Sequence, residues 1–145
     1  MRVVERMARA VRPGGWLFLE EIDCISVGAV DSESPAGQQF DRTLRLIYDN
    51  LRAWRVMDVY FGRRVRGLIE QVGFVDVRHE GVTGVTRGGE PGARFQQMNL
   101  QLLRPLVAAG VLTPGDLETL HRVYADPSFA FVGGTCFGAW GRRAG

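Results

Sequence analysis

The sequence predicts an α/β fold in which three strands alternate with helices. Three observations support it: an apolar strand follows a helix and a Pro-Gly-Gly turn, a strand near residue 75 alternates apolar and polar side chains, and an apolar strand follows the last helix. A chain of about 150 residues buries one core and has little room for a second. We therefore expect a single domain over residues 1–145.

Composition excludes several classes of protein. The chain is 46% hydrophobic and 23% charged, as ordinary globular domains are. No apolar run approaches the roughly 20 residues that cross a bilayer, and the first residues lack the apolar stretch of a secretory signal, so we expect a cytoplasmic protein without a membrane partner. Cys24 and Cys136 have no second ligand at metal-binding spacing. They are expected to be buried thiols, with no metal site.

The charge pattern does not favour nucleic-acid binding. All 18 cationic side chains are arginines, and the formal net charge is only +2. The arginines are interleaved with acidic residues, as in Asp41-Arg42 and Arg55 to Asp58, so no basic stripe forms. We expect no nucleic-acid partner.

The first predicted element is an amphipathic helix over residues 2–11, which Pro13 and two glycines end. Trp16-Leu17-Phe18-Leu19 follows as a strand, and four consecutive apolar residues are typical of a strand covered on both faces. Three acids stand at its carboxyl end, Glu20, Glu21 and Asp23. In open α/β sheets ligands bind at that edge, although a strand that emerges into water accounts for the acids equally well.

Long helices are predicted in two further regions. Apolar residues recur at spacings of three and four from Phe40 to Trp54, which predicts a helix within residues 36–57. A second helical region covers 93–125, with a bend at Pro105 and a threonine cap at Thr113. In it Phe95 and Met98 have the spacing of core residues. His121 shares an apolar helix face, where a histidine is more often a core or rim residue than part of a pocket wall.

The remaining elements surround two strands. A short helix with Val65, Leu68, Ile69 and Val72 ends at Gly73, and residues 74–80 then alternate as a half-exposed strand. The glycine-containing segment 86–92 lacks the spacing of phosphate-binding loops and is expected to be a turn. Residues 128–141 are expected to form one buried strand with a bulge at Gly133-Gly134.

A family resemblance rests on three stretches. Residues 7–23, MARAVRPGGWLFLEEID, resemble the segment of class I S-adenosylmethionine-dependent methyltransferases that leads into the fifth strand of their seven-stranded sheet. Residues 58–63 and 68–77 are similar to the helix and sixth strand. Residues 139–143 resemble the end of the seventh strand in a bacterial subset that often acts on small molecules. The implied fold is the C-terminal part of a Rossmann-like sheet, its last three strands with the final pair antiparallel, plus inserted helices.

The same resemblance implies that the cofactor site lies outside this chain. The family binds S-adenosylmethionine through a glycine-rich loop and an acid that precede the Arg-Pro-Gly-Gly element, and here one helix precedes it. The chain is then a fragment, one incomplete domain without cofactor-binding residues, unable to bind the cofactor alone. Its partner would be a chain carrying the missing half, or a second copy of itself. The incomplete domain would comprise a helix and central strand (1–23), inserted helices (36–57 and 93–125) and a final strand (128–141).

The implied function is methyl transfer to a small-molecule acceptor. Glu21 and Asp23 are the candidates for polarising or deprotonating the acceptor. Four further residues are candidates for the acceptor-binding wall: Trp54, Asp58, Tyr60 and Phe61. The three aromatic residues among them are equally typical of a protein core. An alternative function is a noncatalytic α/β module that binds a small ligand or a partner.

Overall fold

The computed structural model describes residues 2–145, which form two small antiparallel sheets and several helices. Short 3-10 turns cover Cys24–Ser26, Gly62–Arg64 and Leu100–Leu103. The helices and strands, in chain order, are α1 (Arg2–Ala10), β1 (Trp16–Asp23), β2 (Gly28–Ala29), α2 (Pro35–Ala53), α3 (Val65–Gln71), β3 (Phe74–Val82), β4 (Val85–Arg87), α4 (Pro91–Asn99), α5 (Arg104–Ala108), α6 (Pro114–Ala125), β5 (Ala130–Val132) and β6 (Thr135–Arg143).

The chain divides into two compact units, each with its own sheet and core. Unit 1 comprises residues 2–25, 59–82 and 135–145, and unit 2 comprises Ser26–Asp58 and Thr83–Gly134. The mixed α/β class predicted from the sequence is confirmed. Within residues 2–145 no helix has both the length and the apolar character needed to cross a membrane.

Unit 1 is built on the sheet β1-β6-β3, with the last strand in the middle. β6 is antiparallel to both neighbours, so β1 and β3 run parallel to each other. Phe18 and Arg78 lie opposite the same residue of β6, Trp140, from either side. Among residues 2–145, β1 has no strand partner other than β6, so no strand is paired with its other edge.

One face of this sheet is covered and the other is open. Side chains of α1 and α3 pack on the covered face, where Leu17 of β1, Phe74 of β3 and Ala139 of β6 are buried. On the opposite face Phe18 stacks on Trp140 with ring centroids 6.2 Å apart. We call this surface the open face; its exposed apolar residues are Trp16, Phe18, Ile22, Val75 and Val82.

The open face corrects one sequence-based expectation. The run Trp16 to Leu19 predicted a strand covered on both faces, but Trp16 and Phe18 are each 57% exposed and Ile22 is 55% exposed. Because strand side chains alternate between faces, only Leu17 and Leu19 point toward the helices of unit 1. The apolar run therefore marks a strand whose second face is left uncovered within unit 1.

Unit 2 packs its helices around an aromatic cluster. Phe40 of α2 is fully buried, and its ring meets those of Tyr124, Phe129 and Phe131 at centroid distances of 5.2 to 5.8 Å. Edge contacts of this kind stabilise aromatic pairs beyond the area they bury. Burial also raises the pKa of Tyr124 well above its ordinary range, so its hydroxyl stays neutral.

Three boundaries differ from the sequence-based predictions. The segment 128–141 is not one bulged strand, because Gly133-Gly134 separates β5, in the sheet β2-β5-β4 of unit 2, from β6 in unit 1. The helix predicted within 36–57 ends at Ala53, where Arg55 adopts a left-handed φ of 57°. The helix expected to bend at Pro105 instead breaks at the turn before it, and Pro105 lies in the first turn of α5, where its missing N–H costs nothing.

We predict that Phe40→Ala is strongly destabilising. It removes the ring that contacts three other aromatic residues in a fully buried position, and such truncations cost about 3–5 kcal/mol. Leu46→Ala on the same helix is the matched control, because Leu46 is 41% exposed, and surface substitutions of this kind cost about 0.5 kcal/mol. Urea unfolding measures both; equal losses would contradict the core that we describe.

A second prediction concerns the start of α6. The Thr113 backbone N–H donates to the Asp116 carboxylate at 2.8 Å, and this bond is the main reason that the pKa of Asp116 lies below its ordinary value of 3.8. A lowered pKa in the folded state stabilises the protein above the unfolded-state pKa, and this contribution is lost as pH falls through the folded-state pKa. Asp116→Asn removes this contribution, so the stability of the variant should decline less steeply with falling pH. The difference should fall between about pH 5 and about pH 2, the range around the ordinary pKa of an aspartate.

The control for this pH series is Glu118→Gln, at an exposed position on the same helix. Stability is measured by urea unfolding at each pH. If Asp116→Asn and Glu118→Gln changed the acid decline by the same amount, the capping carboxylate would not be its source.

Candidate functional site

The carboxyl end of β1 holds a buried carboxylate. Asp23 is 1% exposed and ends the strand on the covered face. Its Oδ1 accepts from the backbone N–H of Ile25 at 3.1 Å and from Nη2 of Arg63 at 2.9 Å, and its Oδ2 accepts from Nε of Arg63. A buried carboxylate is stable only when such partners replace its water. Arg63 therefore fixes Asp23 through a two-pronged ion pair.

The turn that carries Arg63 is held against β1 by close backbone packing. A Cβ on Gly62 would lie 2.7 Å from the Glu21 carbonyl oxygen and 2.8 Å from the Asp23 nitrogen, so a side chain there would force the turn away. The Cys24 N–H donates to the Val59 carbonyl at 2.9 Å and ties down the preceding segment. These contacts place the guanidinium at the strand end.

Tyr60 belongs to the same cluster. The guanidinium carbon of Arg63 lies 5.1 Å from the centre of the Tyr60 ring, within the range of cation–π attraction. The hydrogen bond to Asp23 is the main reason that the pKa of Arg63 is raised further. We call Asp23, Arg63 and Tyr60 the strand-end cluster.

The other predicted site residues have different surroundings. Glu21 is exposed and shares the side of β1 that Asp23 faces. Phe61 is half-buried and packs on the core of unit 1, which agrees with the core interpretation of this residue. Trp54 and Asp58 belong to unit 2, and both are exposed, Trp54 by 44%, so the core interpretation of Trp54 is wrong.

Arg63 is the residue that the sequence analysis did not single out. A carboxylate at the end of a buried strand needs a cationic partner, and that physical rule was available from the sequence. This rule does not identify which of the 18 arginines pairs with Asp23, because Arg63 lies 40 residues away along the chain.

The surroundings of the two thiols, Cys24 and Cys136, do not activate them as nucleophiles. Burial, and secondarily the charge of Asp23, raises the pKa of Cys24. Burial also raises the pKa of Cys136, with Glu20 on the neighbouring strand adding to the effect. A raised thiol pKa lowers the thiolate fraction and hence the reactivity. Across residues 2–145 no group of three or more His, Cys, Asp or Glu side chains is arranged to hold a metal ion.

No protein-family model matches the sequence, and no curated protein matches it significantly.

We predict that Arg63→Gln destabilises the protein more than Asp23→Asn does. The first change removes the guanidinium that makes two hydrogen bonds to a carboxylate at 1% exposure, and removing the cationic partner of a buried charge is costly. The second leaves a neutral amide that still accepts from Ile25, while the freed guanidinium, on a side chain 47% exposed, turns to water.

Urea unfolding of both variants and of the double variant measures this order. The double variant should be more stable than the sum of the two single effects, because residues in contact are not additive. Equal losses in the two single variants, with strict additivity, would contradict a buried charge pair.

Proposed function

We propose that this chain is the carboxyl-terminal part of a class I S-adenosylmethionine-dependent methyltransferase that acts on a small molecule. The observation that carries the proposal is the strand order of unit 1. The last strand, β6, lies between β1 and β3 and is antiparallel to both. The resemblance implies three final strands with an antiparallel last pair, and β6 with β3 forms such a pair.

The Arg-Pro-Gly-Gly element supports the proposal through its position. Gly14 has a φ of 74°, which favours glycine, and its N–H donates to the Arg143 carbonyl at 2.9 Å. The Arg143 N–H donates in return to the Gly15 carbonyl at 2.8 Å. The turn that leads into β1 is thus joined to the end of the last strand, so the first and the last of the stretches that carry the resemblance meet in one sheet.

The glycine pair after β4 does not form a cradle for the cofactor. The chain itself fills the space beside this pair, because a Cβ on Gly88 would lie 2.1 Å from the Asp126 carbonyl oxygen. Gly89 donates its N–H to the Tyr124 carbonyl at 2.8 Å. These donors and this space are already used, so S-adenosylmethionine would be bound by another part of the enzyme.

The open face and the free edge of β1 indicate where that part would dock. Unpaired strand edges and contiguous exposed apolar surface favour association. Phe18 and Ile22 are both more than half exposed on the strand whose edge is free. A cofactor-binding part that adds a strand at this edge would satisfy the backbone groups and cover the apolar side chains together.

The chain's own chemical contribution would come from the carboxyl end of β1. An acceptor hydroxyl or amine that must lose a proton needs a base within hydrogen-bonding reach. Asp23 is committed to Arg63 and Ile25, whereas Glu21 is exposed. Glu21 is therefore the better candidate for the base, and Asp23 is better suited to holding the strand end in place. Tyr60 lies beside Arg63 and would contribute acceptor-binding surface.

One observation favours the alternative of a noncatalytic ligand- or partner-binding module. The carboxylate at the most favourable sheet position, Asp23, is neutralised by an arginine rather than directed at a ligand. A scaffold that had lost catalysis would need the ion pair for stability alone.

The test supplies the chain with a cofactor-binding part. The reading frame that precedes its coding sequence in the genome is co-expressed with it, and binding of S-adenosylmethionine is measured by calorimetry. We expect the chain alone to bind none and the pair to bind. Binding by the chain alone would contradict the placement of the cofactor site elsewhere. If the pair binds no cofactor, the methyltransferase proposal fails and the noncatalytic module is favoured.

A matched pair of variants tests the docking surface in the same complex. Phe18→Glu puts a charge on the open face, and burial of a phenylalanine is worth about 1.5–3 kcal/mol, so association should weaken by about ten-fold or more. Leu46→Glu, at a 41% exposed position in unit 2, should leave association unchanged.

Glu21→Gln should lower methyl transfer in the assembled pair by about 10²-fold without changing cofactor binding.

A further inference from the structure

Unit 2 contains a cavity that the proposed function does not use. Its volume is about 400 Å³, within the usual range of small-molecule sites. It lies between α4, the 3-10 turn that follows, the start of α5, and α6. The lining residues are Gln97, Met98, Leu100, Gln101, Arg104, Leu117 and His121.

The walls of this cavity are fixed by the packing of α4 and α6. Ala93 and Leu120 are fully buried in the core of unit 2, and they hold the two helices together. The Gln97 side-chain amide donates to the main-chain carbonyl of His121 at 3.1 Å and bridges the helices at the cavity itself. Leu100 is 5% exposed and anchors the turn to the core. The cavity is therefore set by the fold of unit 2.

The apolar lining of the cavity differs from the sequence-based expectation. The helical spacing of Phe95 and Met98 predicted core residues, but they are 59% and 68% exposed. Met98 lines the cavity together with Leu100 and Leu117. An exposed methionine is flexible and polarizable, and it adapts to the shape of an apolar ligand.

Arg104 is the charged residue of the lining. Arg104 and His121 are the two ionisable residues of the lining, and no acidic side chain is among the lining residues. Glu118, three residues before His121, is exposed and does not line the cavity. Arginine presents a planar fork of donors that matches a carboxylate, and the two glutamine amides add neutral donors beside it. A lining with apolar residues and basic but no acidic groups complements an anion with an apolar body.

We propose that this cavity binds a small amphipathic carboxylate, an organic acid whose aliphatic body is about the length of hexanoate. The carboxylate pairs with Arg104 and accepts hydrogen bonds from the glutamine amides, while the aliphatic chain packs on Met98 and Leu117. The site lies wholly in unit 2, and it needs neither S-adenosylmethionine nor a partner chain.

The experiment titrates the isotope-labelled chain with hexanoate and follows it by NMR. We expect saturable shifts at the Met98 methyl and at the side-chain amides of Gln97 and Gln101. Hexan-1-ol has the same carbon chain without the charge, and it should bind about two- to five-fold more weakly, since a charge pair at an exposed position is worth about 0.5–1 kcal/mol. Equal binding of the acid and the alcohol would overturn the proposal.

Two variants separate a built site from general charge attraction. Arg104→Gln removes the fork at an exposed position, so the fold should survive, and hexanoate binding should weaken by about two- to five-fold while hexan-1-ol binding stays unchanged. Arg122→Gln is the matched control, because Arg122 is exposed on α6 and does not line the cavity. The proposal fails if both variants weaken binding equally, or if the shifts map to residues outside the cavity. Neither result bears on cofactor binding by the assembled pair, so this proposal and the proposed function fail separately.

Discussion

The last strand of the chain is the constraint on which unit 1 depends. β6 is hydrogen-bonded to β1 on one side and to β3 on the other, and those two strands are not paired with each other. Its small residues make this central position possible. A Cβ on Gly141 would lie 2.9 Å from Val77 and 3.1 Å from Ile69, so helix α3 can approach the sheet because that side chain is missing. On the open face, the Phe18 ring lies over Gly138 in the same way.

This constraint makes unit 1 a non-local structure. The pair Trp16 with Arg142 joins residues from opposite ends of the sequence, and three separate chain segments meet in one sheet. Long-range pairings of this kind form slowly, because the entropy of loop closure is lost before the contacts stabilise the chain. Until β6 is in place, the apolar residues of β1 have no strand partner in this unit. The strand is therefore an association hazard during folding as well as afterwards.

Local sequence signals predicted the elements better than their partners. The turn after α1, the cap at Gly73 and the Thr113 start of α6 depend on neighbouring residues, and each is found where the sequence placed it. The split at Gly133-Gly134 was missed because β5 and β6 read as one apolar run, and only tertiary pairing assigns them to different sheets.

The candidate site shows the same limit. The acids at the end of β1 were evident from the sequence, but the role of each depends on burial and on distant partners. Asp23 is held by Arg63 from 40 residues away, while its neighbour Glu21 remains exposed. Alternation along a strand cannot decide this difference, because both residues lie on the same side. The sequence therefore predicts which strand end carries the acidic residues, and tertiary contacts decide which of these carboxylates is accessible.

The open face of unit 1 and the cavity of unit 2 differ in shape, and the shape of each restricts what could cover it. The open face of unit 1 is one side of a three-stranded sheet beside a free strand edge, so a partner that covers it must supply both an apolar layer and a hydrogen-bonding strand. A polypeptide meets both demands and a small molecule meets neither. The cavity of unit 2 opens to the surface, has a volume of about 400 Å³ and combines apolar walls with Arg104, which suits a molecule of a few carbons. The curvature and charge of each surface thus restrict what could cover it.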